Sequence, residues 1–445
     1  MSNPDWHVHI SGSTPRAETR LILTALAPAY IRCGRALALY CSAPDGALTQ
    51  GEIDGINNVI DVVAGAATQS WIPTICLTVC YGPAMTPNAS GFAWAQLAGF
   101  SGSESDWTND TASARTNWLA AHYQGTNLTL TTGVHSRPPA GAGNDDGSNV
   151  NGSFALWDAM VVKFNQYIAQ AIQRWTVYWG LPISKMEFEL WNEIQPGGAG
   201  GKGVTLTEPG IDAWGKNMLN YVAPRLALTF NGVKVPLGTP TFLGSYDMLY
   251  QYGSTTATNE ILRVQAIINW WRDAANITSW ASFDRLLIND YVTVAKNDGS
   301  DGYLLADEGI YQRKRTQRFG ATMAAIRAPG SWMSNLPVGV GEFGATPTWL
   351  GMTRNGRTIV SERRGRLLLR EYDVFKSLGA YRAHLYTLRD GAASDPNHHG
   401  CVDSATGACH AALLPMLTRS LGARPSLDPN GRSFQTAGAW EVLAE

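Results

Sequence analysis

"KMEFELWNEIQPGGAG" (185–200) opens as an alternating strand and closes in glycines. Residues of equal parity stand on one face of a strand, so Glu187, Glu189 and Glu193 point the same way. Their partners on the other face, Met186, Phe188 and Leu190, are apolar. Three carboxylates on one face are costly to bury unless they are paired or used. The segment therefore reads as a strand with a packed apolar side, a charged side and a glycine-rich exit.

Outward from it, short apolar or β-branched runs alternate with longer helical patterns along almost the whole chain. Strands are predicted at about 6–10, 30–41, 72–80 and 186–193, then at about 234–240, 285–292, 337–343 and 379–387. Helical segments lie between them. "TPRAETRLILTALAP" has Thr14 as a cap and Pro15 at the first helical position. "TQGEIDGINNVIDVV" carries a capping box, Thr49 with Glu52 three residues on. The stretches 154–175, 259–276 and 361–378 are long and periodic. Eight strands separated by helices predict an α/β fold, a parallel sheet closed into a (β/α)8 barrel. An open doubly wound sheet is the rival, and eight regular units favour closure. The whole chain, 1–445, is expected to form one catalytic domain. The connection after the third strand, 82–152, is far longer than ordinary barrel loops and rich in Gly, Ser, Asn and aromatics. It is expected over the C-terminal face, where Trp94, Trp107, Trp118 and Tyr123 either stack on a substrate or form a small core beneath the loop.

The bulk properties narrow the function classes. With 445 residues, 44% hydrophobic and 16% charged, the chain can bury a large core. A formal net charge of −2 excludes a nucleic-acid partner held by bulk electrostatics. No apolar run reaches the length of a membrane span. The start "MSNPDWHVHI" lacks a charged region followed by an apolar one, so no signal peptide is visible, and a trimmed N-terminus would look the same. A secreted or envelope-associated protein is nonetheless expected, with the compartment open. Of six cysteines none has zinc-site spacing; Cys401 and Cys409 bracket a polar turn and are either a small-loop disulfide or two thiols.

Two carboxylates end two predicted strands: Glu193 the fourth, and Glu342, in "VGVGEFGA", the seventh. Strands four and seven face each other across a barrel mouth. Paired carboxylates there are what retaining glycoside hydrolysis needs, one as nucleophile and the other as acid and then base, with roughly 5 Å between them. Gly339 and Gly341 are expected to leave room for a sugar ring. These stretches resemble the clan A glycoside hydrolases, (β/α)8 retaining enzymes with the acid/base on strand four and the nucleophile on strand seven. "ELWNE" (189–193) resembles the E-x-W-N-E-P signature of family 39, and "GEFG" (341–344) is closer to family 5 cellulase-like sequences. The resemblance implies Glu193 as acid/base, Glu342 as nucleophile and Asn192 as a hydrogen-bond donor to the sugar 2-hydroxyl. It matches the clan's second-strand arginine to Arg32 and its sixth-strand partner to Tyr291; Tyr386 stands nearest the eighth-strand tryptophan. It implies an oligo- or polysaccharide substrate and no cofactor. Ile194 replaces the usual proline after the acid/base, and the region after 82 is expanded.

"DWHVHISGS" (5–13) supplies a competing motif, since His7 and His9 resemble the His-x-His that begins an amidohydrolase metal site. The further ligands should be histidines on strands five and six, and "KVPLGTP" and "RLLINDYV" have none. His7 is therefore expected as a packed strand residue, His9 as a sugar-contacting group, and no metal is expected. A barrel that binds glycans without cleaving them is the third alternative.

Overall fold

The structure is a computed structural model describing residues 4–8, 10, 16–33, 47–79, 155–190, 217–243, 280–290, 319–329, 333–344, 361–389 and 400–402, with 102–103, 105–106, 316, 413 and 416–417. Its strands are β1 (Asp5–His7), β2 (Tyr30–Cys33), β3 (Thr74–Val79), β4 (Met186–Leu190), β5 (Thr229–Phe230), β6 (Val233–Lys234), β7 (Leu237–Gly238), β8 (Phe242–Leu243), β9 (Leu286–Asn289), β10 (Val338–Phe343) and β11 (Arg382–Leu385). Four described helices are α1 (Arg16–Leu26), α2 (Gln50–Ala64), α3 (Ala155–Gln173) and α4 (Ser361–Ser377).

One nine-segment sheet runs β7-β4-β3-β2-β1-β11-β10-β9-β8, with every neighbouring pair parallel. Its two end segments, β7 and β8, are halves of one stave, residues 237–243. The first half pairs with β4 and the second with β9. Between them the Thr239 amide donates to the Arg285 carbonyl at 3.0 Å, and the Asp284 amide to the Leu237 carbonyl at 2.8 Å. The sheet thus meets itself, and the eight parallel staves make the closed barrel that the sequence predicts. The fifth stave sits about three residues later than predicted. Residues 229–234 form instead a small antiparallel hairpin, β5 with β6. Its two turn residues, Asn231 and Gly232, both take positive φ (48° and 78°), the geometry that lets Asn-Gly join two twisted strands tightly.

Alternation divides each stave into two chemistries. Ile31, Ile75, Leu77, Met186, Phe188, Ile288, Val338, Val340 and Leu385 are buried in the apolar core. The helices contribute their own stripes to it: Ile22, Leu23 and Leu26 from α1, Ile56, Val59 and Ile60 from α2, Phe164 and Ile168 from α3, and Leu368 and Phe375 from α4. The opposite parity is polar and equally buried: His7, Arg32, Thr78, Glu187, Glu189, Asn289, Arg382 and His384. Main hydrophobic burial therefore lies between strands and helices, while a charged column fills the barrel.

The capping box of α2 is present: the Glu52 amide donates to Thr49 Oγ1 at 3.3 Å and the Thr49 amide to Glu52 Oε2 at 2.6 Å. Glu52 also meets Lys163 of α3 at 3.3 Å, both side chains being buried, so one carboxylate caps one helix and fastens the next. Thr14, Pro15, the stretch 259–276, the connection 82–152 (apart from 102–103 and 105–106) and Cys409 lie outside the described residues. Cys401, Cys33 and Cys76 are all buried. No described helix is long and apolar enough to cross a membrane.

Candidate active site

The site is built on the C-terminal half of β10. Strict alternation would send Glu342 outward with Val338 and Val340. The register shifts instead, on both sides of the strand: Val340 pairs with Ile288 and Glu342 with Asn289, while Val340 pairs with Ala383 and Phe343 with Leu385. One extra residue in β10 relative to both neighbours is a β-bulge, which re-aims the side chain that follows it. Glu342 thereby turns toward the inward-facing Arg32 of β2, and the guanidinium donates to Glu342 Oε1 through Nη1. The carboxylate remains only 5% exposed.

Arg32 is held by more than Glu342. Its Nε donates to Glu189 Oε1 at 2.7 Å, and its Nη2 reaches the same oxygen. Thr78 Oγ1 donates there too, so three donors converge on Glu189 Oε1. Glu189 Oε2 faces the Cys76 thiol at 3.7 Å. Burial opposes the guanidinium's charge, and Glu189 and Glu342 more than offset that, so Arg32 is held above its ordinary value. Glu189 is thus buried and paired, and Arg32 is its partner.

His7 completes this side of the mouth. Its Nδ1 lies 2.9 Å from Arg32 Nη1 and 3.5 Å from Glu342 Oε1. A guanidinium only donates, so Nδ1 must be the acceptor and the ring proton sits on Nε2. The Nδ1 lone pair is thus engaged by a cation, which is incompatible with a metal ion on that nitrogen. Tyr386, half-buried just past β11, packs its ring edge-on against His7 with centroids 4.9 Å apart.

Deeper in the barrel a second cluster surrounds Glu187. Arg382 Nη1 donates to Glu187 Oε2 at 2.6 Å, Tyr381 donates to it at 3.3 Å, and Arg285 Nε lies 3.6 Å from Oε1. Arg382 Nη2 also lies 3.3 Å from Cys76 Sγ, so the thiol links the two clusters. Burial in particular pushes the Cys76 thiol up to about 12, and it stays protonated. His384 is kept neutral: burial, then the charges of Arg382 and Arg32, hold it well below the usual histidine range. Its Nδ1 donates to the Val340 carbonyl at 3.2 Å, at the bulge itself.

The glycines of β10 serve a different purpose from the one expected of them. A Cβ on Gly339 would meet Tyr381 at 2.9 Å and Arg382 at 3.0 Å, and one on Gly341 would meet Asn289 Oδ1 at 2.7 Å and Thr241 at 2.9 Å. The room beside Glu342 is filled by the protein's own side chains, so these glycines admit neighbours rather than a sugar ring.

Of the residues singled out from sequence, Glu342, Arg32, His7 and Tyr386 come together. Glu193, Asn192, Tyr291 and His9 lie outside the described residues. Thr78, Arg382 and His384 were not anticipated. Parity held a signal for two of them, because Arg382 and His384 share a face in "YRAHLY" (381–386). Among the described residues no three His, Cys, Asp or Glu side chains group as a metal site.

No family model matches the chain, and no curated protein matches it in sequence. Solved structures similar to it include ZgEngAGH5_4 in complex with a cellotriose, at 10% identity over 93% of this chain and 95% of that one, TM-score 0.48. A family 1 β-glucosidase from Thermotoga maritima aligns at 12% identity over 92% of this chain and 86% of that one, TM-score 0.49. A β-glucuronidase from Ruminococcus gnavus aligns at 11% identity over 94% of this chain and 50% of that one, TM-score 0.42. The fold assignment rests on the strand pairing described above.

Proposed function

We propose that this protein is a retaining glycoside hydrolase acting on an oligo- or polysaccharide. One observation supports the reading above all: a bulge in β10 turns Glu342 into the barrel, where Arg32 grips it from β2. A buried carboxylate gripped by a guanidinium is held in place and aimed, which is what a nucleophile requires. Glu342 attacks the anomeric carbon while Glu193 protonates the leaving oxygen. The glycosyl–enzyme ester is then hydrolysed by a water that Glu193 deprotonates, giving net retention. Asn192, Tyr291, His9 and Tyr386 are the proposed sugar contacts. We take the chain as one catalytic domain with 82–152 over the mouth, acting within β-linked chains; if that segment closes one end of the cleft, the action is at chain ends.

The test is hydrolysis of a polysaccharide panel by the wild type, Glu193→Ala and Glu342→Ala, with 2-deoxy-2-fluoro glycosides as trapping reagents. Either substitution is expected to lower kcat by at least about a thousandfold, given that each removes a whole chemical role. The fluoro reagent is expected to label Glu342. Labelling of another residue, or inverted product, overturns the assignment. Binding without cleavage by the wild type would favour the glycan-binding alternative. Activity lost to a chelator and restored by zinc would favour the amidohydrolase alternative, against which the engagement of His7 Nδ1 by Arg32 already speaks.

A further inference from the structure

The pairing of Arg32 is unequal. Glu342 receives Nη1 alone in the contacts described, while Glu189 takes both Nε and Nη2. Glu189 is fully buried and cannot touch a substrate. Its charge nevertheless decides how much of the guanidinium's field reaches Glu342, because two anions share one cation in a water-poor interior.

We propose that Glu189 is a positioning residue that sets the reactivity of the nucleophile through Arg32. It holds the guanidinium by two nitrogens so that Nη1 points at Glu342. At the same time it offsets part of the positive charge that would otherwise make Glu342 too stable an anion to attack. Both effects follow from one carboxylate, and the inference rests on the glycosidase reading of Glu342.

The groups facing this pair come from six staves. Glu189 sees Arg32 of β2, Cys76 and Thr78 of β3, and, at longer range, Arg382 of β11. Gly238 of β7 lies against its Cβ without a side chain of its own. Glu342 sees Arg32, His7 of β1 and Asn289 of β9, while His384 of β11 hydrogen-bonds one turn of the bulge away at Val340. His384 and Cys76 are neutral near pH 7, and His7 accepts from Arg32, so among the described residues in direct contact the charges are those of Glu189, Arg32 and Glu342.

The contact pattern supplies a clean probe. Among the described residues, three close donors meet Oε1 of Glu189, and Oε2 meets only a thiol at 3.7 Å. In Glu189→Gln the amide oxygen can accept the same three donors while the NH2 group faces Cys76. The shape and the hydrogen bonds to Arg32 survive and the charge alone goes. With Glu189 neutral, Arg32 is expected to hold Glu342 more tightly as an anion: kcat/KM falls about tenfold and the acidic limb of its pH profile moves down by about half a unit or more. A merely structural role would lower the melting temperature and leave that limb in place.

The experiment measures kcat/KM against pH for wild type and Glu189→Gln on the best substrate of the panel, with circular dichroism to check folding and fluoro-glycoside labelling to check Glu342. Labelled Glu342 with an unmoved or upward-moving limb overturns this inference alone. Failure of wild type to be labelled at Glu342 overturns the glycosidase reading and this inference with it. If Glu189→Gln does not fold, Thr78→Val carries the test. It keeps the charge but removes one donor from Oε1, so more of the charge falls on Arg32 and the limb is expected to rise by a few tenths of a unit; a limb that stays or falls overturns the proposal.

Discussion

At the scale of single residues, the barrel interior shows how buried charge is made tolerable. Arg32 and Arg382 are both fully buried, and each meets a glutamate of β4. Removing one partner of such a pair typically costs about 3–5 kcal/mol, because the other charge is stranded in the interior. Asp5 is solved differently. Its Oδ1 accepts the Tyr30 amide at 3.0 Å and its Oδ2 the Ala383 amide at 3.2 Å, stitching β1 to both neighbouring staves. Burial raises it to about 7, with those two hydrogen bonds and the charges of Lys376 and Arg382 offsetting only part of that. The folded state therefore holds this proton more tightly than the unfolded chain. Its contribution to stability is complete below the unfolded value of 3.8 and is lost as pH rises through about 7. Asp5→Asn loses one of two amide contacts at every pH but should flatten the dependence between pH 4 and 7. The difference in unfolding free energy between wild type and variant, from urea melts at pH 4.5 and 8, is expected to change by on the order of 2–4 kcal/mol. Parallel curves would contradict the assignment to Asp5. What sequence could show at this scale was parity: it put Glu187 and Glu189 on one face. The partners of Glu187, Arg382 and Tyr381, lie almost two hundred residues downstream, and no local rule connects them.

At the scale of elements, β10 carries the site. Its type and extent were readable from "PVGVGEF" (337–343), yet its bulge was not, because alternation alone predicts an unbroken strand. The glycines make the bulge possible: both neighbours of Val340 lack the Cβ that would collide with Arg382, Tyr381 or Asn289. Gly341→Ala is expected to displace Asn289, since the new methyl carbon would lie 2.7 Å from its Oδ1. Overpacking of that kind costs about 1–3 kcal/mol, and because the strain falls one residue before Glu342 the variant should also lose most of its activity. A thermal melt with a matched kinetic assay checks both; full activity in the variant would show that the position tolerates a side chain. The α2 capping box, by contrast, was legible in full, because a cap is decided by four consecutive residues.

At the scale of the whole molecule, barrel closure depends on the short fifth stave. Thr239 is the seam: its amide donates to the Arg285 carbonyl, and its Oγ1 accepts the Leu287 amide at 3.0 Å. A side chain there replaces a backbone carbonyl in the ladder. Thr239→Val keeps the volume and leaves the buried Leu287 amide without that acceptor, at a cost of about 1–3 kcal/mol. Urea unfolding is the measurement, and hydrogen exchange should show faster exchange at Leu287 than at the other β9 amides; unchanged protection at Leu287 would contradict the seam. The sequence by itself determined the eight staves, their parallel order, the α2 cap and the identity of Glu342 as a strand-end carboxylate. Those are local properties, written in periodicity, parity and the residues that start and stop an element. Only the tertiary structure decided which way Glu342 points, which charges neutralise one another inside the barrel, and that the glycines of β10 make space for protein. Each of these depends on distances between residues far apart in the chain, and such distances exist only once the barrel has closed.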